Sequence, residues 1–539
     1  MKNTEGLLTS YWGYKSFKPQ QEKIINSIIK GNNTLAILPT GGGKSLCYQL
    51  PSLILEGTTL VISPLIALME EQVGLLKKIG ISSFYFKSES LNSSTNQQLD
   101  NLINGNYKIV YCSPEKFINK DFLNKISQAN INHIAIDEAH CISEWGHEFR
   151  PSYRKIRKLL NLFSCATISA FTGSASKLVK NDIIKSLELE NFKIIESSFE
   201  RKNISYKVNH VNDKNKALLK IIQNESSIVY CNTRKTAEII SRLLNKNGYS
   251  SDYFHGGVSL TLKKEKLLKW HSEEIKIIIA TTAFGMGIDK SNVRFVIHFS
   301  MPLSLEGYYQ EIGRAGRDGK LSDCIMYYSV KDKVIYEKML KKEAPKSMKK
   351  VEHNNCMLSK LQDITNFFEN IIDCKHFLLC KHFGEIVEPQ VGFCKLHCDN
   401  CVRNRHNITY KDVTLLCRKL VNLVVLLKND ATLCKIKKFI KGSSEMKKYS
   451  ALSDFGIGRN YSETLIDRVL TYLVKERYIK NTVFRNKFGF YNDKIMLYNK
   501  SKELLDTSSK TKDLHIKLPF LKNKNQKEYF IIKKTKMKS

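Results

Sequence analysis

Two short stretches carry residue types that could do phosphate chemistry. The first is Pro39-Thr40-Gly41-Gly42-Gly43-Lys44-Ser45, which follows an apolar run and precedes a helical segment. Glycines let backbone N–H groups close around phosphate oxygens, and the start of the following helix favours an anion. In that setting Lys44 can reach the β- and γ-phosphates of a nucleotide and Ser45 can ligate Mg²⁺. The strict phosphate-loop pattern is not met, because Leu38 stands where its first glycine would. The second stretch is Ile134-Ala-Ile-Asp-Glu-Ala-His140, an apolar run ending in two adjacent carboxylates. Burying carboxylates is costly unless something positive meets them. At the C-terminal end of a buried strand, where open α/β sheets bind ligands, Asp137 is placed to hold Mg²⁺ through water. Glu138 is placed to orient or deprotonate an attacking water. A lone Asp-Glu is commonly a helix-capping pair; the glycine-lysine loop upstream favours nucleotide and metal instead.

Positioning these residues at strand ends requires parallel sheets. Short apolar runs alternate with helical segments up to about residue 330: Thr34–Leu38, Thr59–Ile62, Lys108–Cys112, His133–Ile136 and Thr167–Phe171, then Ser227–Cys231, Ile275–Ala280 and Arg294–Phe299. Runs apolar on both faces with helix-length connections indicate parallel strands covered by helices. Two series imply two such lobes, the first ending near Phe199 and the second near Asp332. Lys331–Lys350 is Lys-rich and helix-like, Asp412 to Glu476 is helical, and Tyr478–Phe484 and Phe490–Tyr498 form two β-like runs around Gly489.

At 539 residues the chain should hold three or four domains. A formal charge of +34 suits a polyanionic partner, although part of it reflects a Lys-, Asn- and Ile-rich composition. No membrane span is expected, and the start, MKNTEGLLTSYWGY, is too polar for a secretory signal; an intracellular protein follows. Of the 14 cysteines, most lie singly in apolar segments and five crowd between Cys374 and Cys401. In a reducing compartment that clustering reads as metal. Cys374, Cys394, Cys398 and Cys401 give C-x19-C-x3-C-x2-C, a thiolate tetrad suited to a closed, structural Zn²⁺ site.

The motif blocks together resemble the superfamily 2 helicases, and within them the RecQ family, from about residue 8 to 505. Gly13-Tyr-Lys-Ser-Phe-Lys-Pro-Gln-Gln21 is similar to the family's adenine-reading element, which implies Gln21 on the adenine edge with Tyr14 and Lys18 beside the ring; Lys18 stands where the family usually has Arg. Ser63-Pro-Leu-Ile-Ala67, Ser113-Pro-Glu115 and Ala170-Phe-Thr-Gly-Ser-Ala175 match further blocks, with Gly173 and Ser174 replacing the usual Ala and Thr. In the second lobe Ile228-Val-Tyr-Cys-Asn-Thr-Arg234, Ala280-Thr-Thr-Ala-Phe-Gly-Met-Gly-Ile-Asp289 and Tyr309-Gln-Glu-Ile-Gly-Arg-Ala-Gly-Arg317 continue the match. The resemblance implies Lys44, Asp137, Glu138, His140, Gln310, Arg314 and Arg317 as catalytic. Arg317 would be the arginine finger, and Arg314 would contact phosphate or brace Glu138. Thr40, Gly41, Gly42, Gly43 and Ser45 complete the ATP and Mg²⁺ cradle.

Residues 141–151 resemble the aromatic-rich loop of RecQ enzymes. Trp145 and Phe149 offer faces for single-strand bases, worth roughly 1–3 kcal/mol per base. His147 and Arg150 can meet the DNA backbone or relay its presence to His140. Glu144 replaces the family's usual Gln. The zinc element and Cys398-Asp-Asn-Cys401 look most like eukaryotic members, which implies a nuclear protein; Cys380 would pack on a helix, with His376 and His397 as substitute ligands. Residues 412–505 resemble the family's winged helix, with Ser462 a candidate N-cap and Phe488 or Tyr491 near the wing turn facing a fork.

The expected architecture is therefore α/β. Two tandem RecA-like lobes (1–205 and 206–345) are followed by a helical zinc-binding element (346–405), a winged-helix domain (406–505) and a basic, disordered tail (506–539), too short for the C-terminal module many relatives carry. The implied activity is an ATP- and Mg²⁺-dependent 3′→5′ DNA helicase, with Zn²⁺ in a structural role, acting on single-stranded and forked or branched DNA in repair and recombination. Two rivals stand beside it: a DEAH-type RNA helicase, since Asp137-Glu-Ala-His140 is shared, and a DNA-annealing protein with a vestigial ATPase.

Overall fold

Alternate residues of each central strand enter different cores, which is why these strands read as continuously apolar. On β1 (Thr34–Ile37) Leu35 and Ile37 face one cluster, while Ala36 faces another. The same division holds on β2 (Thr58–Ile62), β4 (Ile109–Cys112) and β5 (Ile131–Ile136). Each fully buried aliphatic side chain contributes about 1.5–3 kcal/mol.

With β3 (Ser83–Tyr85), β6 (Thr167–Thr172) and β7 (Lys193–Glu196) these strands build a parallel sheet in the order β3-β4-β2-β5-β6-β1-β7. A second parallel sheet is formed by β8 (Ile204–His210), β9 (Ser227–Tyr230), β10 (Ser251–Phe254), β11 (Ile277–Ala280), β12 (Phe295–His298) and β13 (Ser322–Tyr328), in the order β10-β11-β9-β12-β13-β8. Because β7 ends at Glu196 and β8 starts at Ile204, the chain crosses between sheets within residues 197–203.

The computed structural model describes residues 4–86, 93–144, 146, 149–188, 192–211, 213–285, 290–341, 348–388, 393–395, 397–403, 408–427, 431–452, 454–485, 491–505 and 515–521. The chain divides into two compact units, Met1–Tyr336 with Lys360–Cys401, and Glu337–Ser359 with Val402–Ser539. The first holds both sheets and the cysteine cluster. Its helices start where the sequence supplies an acceptor: Asp213, Thr233, Ser259 and Ser304 each accept a backbone N–H of the first turn, a cap worth about 1 kcal/mol. Among the described residues no helix is long and apolar enough to cross a membrane.

The second unit packs helices Thr414–Leu427, Leu433–Ile440 and Glu463–Lys475 on one core with the antiparallel hairpin β15 (Ile479–Arg485) and β16 (Tyr491–Leu497). Ser462 caps the third helix, its side chain accepting from Leu465 N. The turn bearing Phe488 and Gly489 lies outside the described residues.

The tail departs from expectation. Lys517–Leu521 forms β17, antiparallel to β14 (Ile408–Asp412), and Ile516 and Leu518 are buried in the unit's core. Within a basic segment, the period-two apolar pattern Ile516, Leu518, Phe520 is a strand signal; mean polarity hides it. Ile516→Ala should destabilise this unit by about 2–5 kcal/mol. Hydrogen exchange of the β14 amides in the full chain reads the change, and unaltered protection would show that the strand adds nothing to the core.

Candidate nucleotide and metal sites

Three neighbouring strands of the first sheet, β5-β6-β1, deliver their C-terminal ends side by side. From β1 comes the glycine loop. Gly41 and Gly43 have φ of +81° and +78°, and a Cβ at Gly42 would lie 2.8 Å from Pro39 O, so the loop's shape requires glycine there. Gly43 precedes helix Lys44–Ser52 with no side-chain acceptor at the cap. The loop is braced from outside: Lys18 Nζ donates to Gly41 O at 2.9 Å. Gln21 Nε2 reaches Gly43 O at 3.1 Å, while its Oε1 accepts Lys18 N–H at 2.8 Å. The structure therefore brings Lys18 and Gln21 to the loop itself, and Tyr14 is exposed. Ser45 lies in the helix's first turn, beside the Tyr48 hydroxyl.

From β5 come the carboxylates. Glu138 Oε1 lies 3.0 Å from Lys44 Nζ, and its Oε2 lies 3.2 Å from His140 Nδ1. Glu138 adopts the left-handed region, φ +49°, a conformation costing a non-glycine residue of order 1–3 kcal/mol and typical of functional sites. Burial, aided by the neighbouring Glu138 charge and opposed by Lys44, pushes the Asp137 carboxyl up to about 6. Burial acts the same way on Glu138, but there Lys44 and His140 prevail and hold its carboxyl well below the usual range. For Lys44, burial favours the neutral amine, and the two carboxylates outweigh it.

From β6 comes the link onward. Thr172 Oγ1 lies 3.1 Å from His140 Nδ1 and donates to Ser174 O at 3.2 Å. Ser174 Oγ accepts Gln310 Nε2 of the second lobe at 3.4 Å. A chain of polar contacts thus runs from Lys44 through Glu138, His140, Thr172 and Ser174 to Gln310. A methyl at Gly173 would be in ordinary contact, 3.5 Å, with Lys44 Nζ and Thr40 Oγ1, so glycine is not demanded there.

The second lobe brings its arginines on the turn after helix Leu305–Ile312. Arg317 packs on the loop: a Cβ at Gly41 would lie 3.4 Å from Arg317 Cγ, and the Arg317 charge acts on Lys44. Arg314 is buried beside Tyr230 of β9.

Directly after Glu138, the loop at 141–151 is held by Arg150, whose Nη1 donates to Pro64 O at 2.7 Å, and by Lys360, whose Nζ donates to Gly146 O at 3.2 Å. Glu144 pairs with Arg154 at 2.8 Å, so its extra charge is met within the loop's own surroundings. The Arg154 guanidinium also lies over the Phe149 ring, 5.4 Å from its centre. Trp145 and His147 lie outside the described residues.

Cys374, Cys394, Cys398 and Cys401 bring their sulfurs within 4.8 Å of one another. Cys374 Sγ and Cys398 Sγ are 3.9 Å apart, close to the roughly 3.8 Å that two ligands of a tetrahedral Zn–S site of about 2.3 Å would show. Cys380 is buried away from the tetrad.

Residues 18–180 match the DEAD/DEAH box helicase family, 213–319 the helicase conserved C-terminal domain, 330–402 the RecQ zinc-binding family and 407–525 the RQC domain. The chain is 35% identical over 489 residues to the ATP-dependent DNA helicase RecQ of Bacillus subtilis, covering 89% of this chain and 80% of that protein. It belongs to the RecQ family. It is equally identical, 35% over 526 residues, to the ATP-dependent helicase SGS1 of Saccharomyces cerevisiae, covering 94% of this chain but spanning only 36% of that relative. The two similarities are equal, so overall identity does not single out the eukaryotic relatives. A solved structure of the DUF1998 helicase MrfA bound to DNA shares the fold, with TM-score 0.53, 18% identity and coverage of 69% of this chain and 55% of that one. S. cerevisiae Dbp5 bound to RNA and ADP BeF3 does likewise, with TM-score 0.51, 17% identity and coverage of 72% and 95%.

The RecQ zinc-binding match and the four converging sulfurs agree, and the donor set fits a closed structural zinc site. What sequence reading missed is Arg201, which touches four backbone carbonyls around the nucleotide loop; its setting, Glu200-Arg-Lys-Asn203, reads as a charged linker. For the metal, Cys398→Ala should take bound zinc from about one ion per chain to none by elemental mass spectrometry, while Cys380→Ala should retain it.

Proposed function

We propose that this chain is an ATP- and Mg²⁺-dependent DNA helicase that moves 3′→5′ on single strands and unwinds duplex or branched DNA in repair and recombination. The observation that carries the reading is the polar chain from Lys44 through Glu138, His140, Thr172 and Ser174 to Gln310. It ties a hydrolytic carboxylate to the opposite lobe, and the loop after that carboxylate is the proposed DNA contact.

Tyr14, Lys18 and Gln21 would read the adenine, with Thr40, Gly41, Gly42, Gly43, Lys44 and Ser45 around the phosphates. Mg²⁺ near Asp137 and Ser45 would supply charge neutralisation for the triphosphate. Lys44, now paired with Glu138, would exchange that carboxylate for phosphate oxygens. Glu138 is then released to take a proton from water, with His140 stabilising its orientation. Arg317, already against Gly41, serves as the finger on the γ-phosphate, and Arg314 would contact phosphate or brace Glu138. Trp145 and Phe149 stack bases, and His147 and Arg150 report the strand's arrival to His140. Phe488 or Tyr491, near the wing turn, would part the end base pair. Cys398-Asp-Asn-Cys401 supports a nuclear location.

Against an RNA helicase stand the zinc element and RQC domain. Lys44→Ala should lower strand-stimulated ATP hydrolysis by roughly 100-fold or more, and wild-type hydrolysis should respond to single-stranded DNA well above RNA. Hydrolysis indifferent to DNA would reject the proposal.

A further inference from the structure

The segment that crosses between the sheets, residues 197–203, is pinned at every second residue. Phe199 O accepts Tyr309 OH at 2.9 Å, and Phe199 N donates to Glu385 at 3.0 Å. Asn203 Nδ2 donates to Gly316 O and Lys320 O at 2.8 and 2.9 Å. Between them Arg201 turns inward while Lys202 stays exposed.

The Arg201 guanidinium serves both lobes at once. Its Nη1 donates to Thr40 O of the phosphate loop at 3.0 Å and to Gly313 O at 3.4 Å. Its Nη2 donates to Ala315 O and Gly316 O at 2.9 and 3.2 Å. Gly313 is the C-cap of helix Leu305–Ile312, so three of these acceptors are carbonyls at or just past a helix C-terminus. Such groups lack intrahelical partners, and a cation is favoured there.

The lobes also touch at this point. A Cβ at Gly313 would lie 2.8 Å from Thr40 Cβ. Gly316, at φ +55°, has no room for one beside Asn203 and Ser322. The turn from 313 to 316 is therefore wrapped on Arg201 and Asn203, and Arg317 leaves it directly.

We propose that Arg201 is a positioning residue for ATP hydrolysis: by joining the Thr40 carbonyl to the 313–316 turn, it sets where Arg317 stands relative to the phosphates. This rests on the nucleotide site proposed above. The loop keeps its own braces in Lys18 and Gln21, so loss of Arg201 falls on the second lobe's approach rather than on nucleotide capture. A planar fork reaches four carbonyls that an ammonium cannot match.

The test uses the full chain, with DNA-stimulated ATP hydrolysis of wild type, Arg201→Ala, Arg201→Lys and Lys202→Ala measured side by side. Both Arg201 variants should lose kcat by roughly 10- to 100-fold, as misplacement of a catalytic group does, with KM for ATP within about threefold. Melting temperature should hold in at least the Lys variant, and Lys202→Ala should behave as wild type. Millimolar guanidinium, against sodium at equal ionic strength, should restore part of the Arg201→Ala rate. Unchanged kcat in the Arg201 variants overturns the inference, as does a loss that appears equally in nucleotide binding and is not rescued. A wild type that fails to hydrolyse ATP with DNA overturns the proposed function and this inference together; an active wild type with unaffected variants overturns this inference alone.

Discussion

A lysine and a carboxylate held 3.0 Å apart and largely out of water set the terms for the residues around them. Removing two charges from water costs several kcal/mol per ion, recovered only when geometry and further hydrogen bonds are good. Around Lys44–Glu138, His140 Nδ1 stands 3.2 Å from the far oxygen of Glu138, and the Asp137 charge also favours the ammonium. The left-handed backbone at Glu138 belongs to the same arrangement. It turns the side chain from the end of β5 towards the loop after β1, across the intervening β6. Strain of that size persists only where surroundings over-determine it, and here the Tyr153 hydroxyl on Asp137 O and the Asp137 N–H on Ile62 O fix the flanking backbone.

From that ion pair a line of polar contacts leads to the second lobe. His140 bonds Thr172, Thr172 bonds the Ser174 carbonyl, and Ser174 receives Gln310. Low local dielectric strengthens such a series but penalises any unmade link. Displacing Gln310 by a small lobe movement would therefore be felt at Glu138 through groups that have no water to fall back on. In any such coupling between cleft and lobe position, desolvation would weigh as much as geometry.

The parts of this arrangement legible in sequence are those where local chemistry is unusual. Gly-Gly-Gly-Lys-Ser and Asp-Glu at strand ends, the spaced cysteines and the strands buried on both faces all stand out. β8 does not: Ile204, Tyr206 and Val208 are buried between half-exposed neighbours, as an edge strand's alternation requires, and Lys207 and Asn209 dilute its signal. Arg201 is invisible for a different reason. Nothing in Glu200-Arg-Lys-Asn203 separates it from Lys202; the difference is made by the carbonyls of a distant turn, which only the folded chain brings near. Gln21 carries a second role that its type does not announce. Its type and spacing point to a base edge, and in this structure the side chain also knits Lys18 to the loop.

The zinc element does more than hold itself together. β8 is the last strand of the second sheet, and an uncovered edge offers N–H and C=O groups to any passing chain. Tyr206 N donates to His397 O at 3.2 Å, and Val208 N donates to the Asp399 carboxylate at 3.1 Å. Both partners flank Cys398, so zinc held by the four cysteines would also fix the segment closing this edge. Tyr206 further packs its ring on His376, 4.4 Å between centres, and the Arg201 charge acts on the same tyrosine. The strand that carries Arg201 at its entrance is therefore clamped from one side by the metal element and from the other by β13. The segment around Cys398 thus meets the same strand that leads on from Arg201.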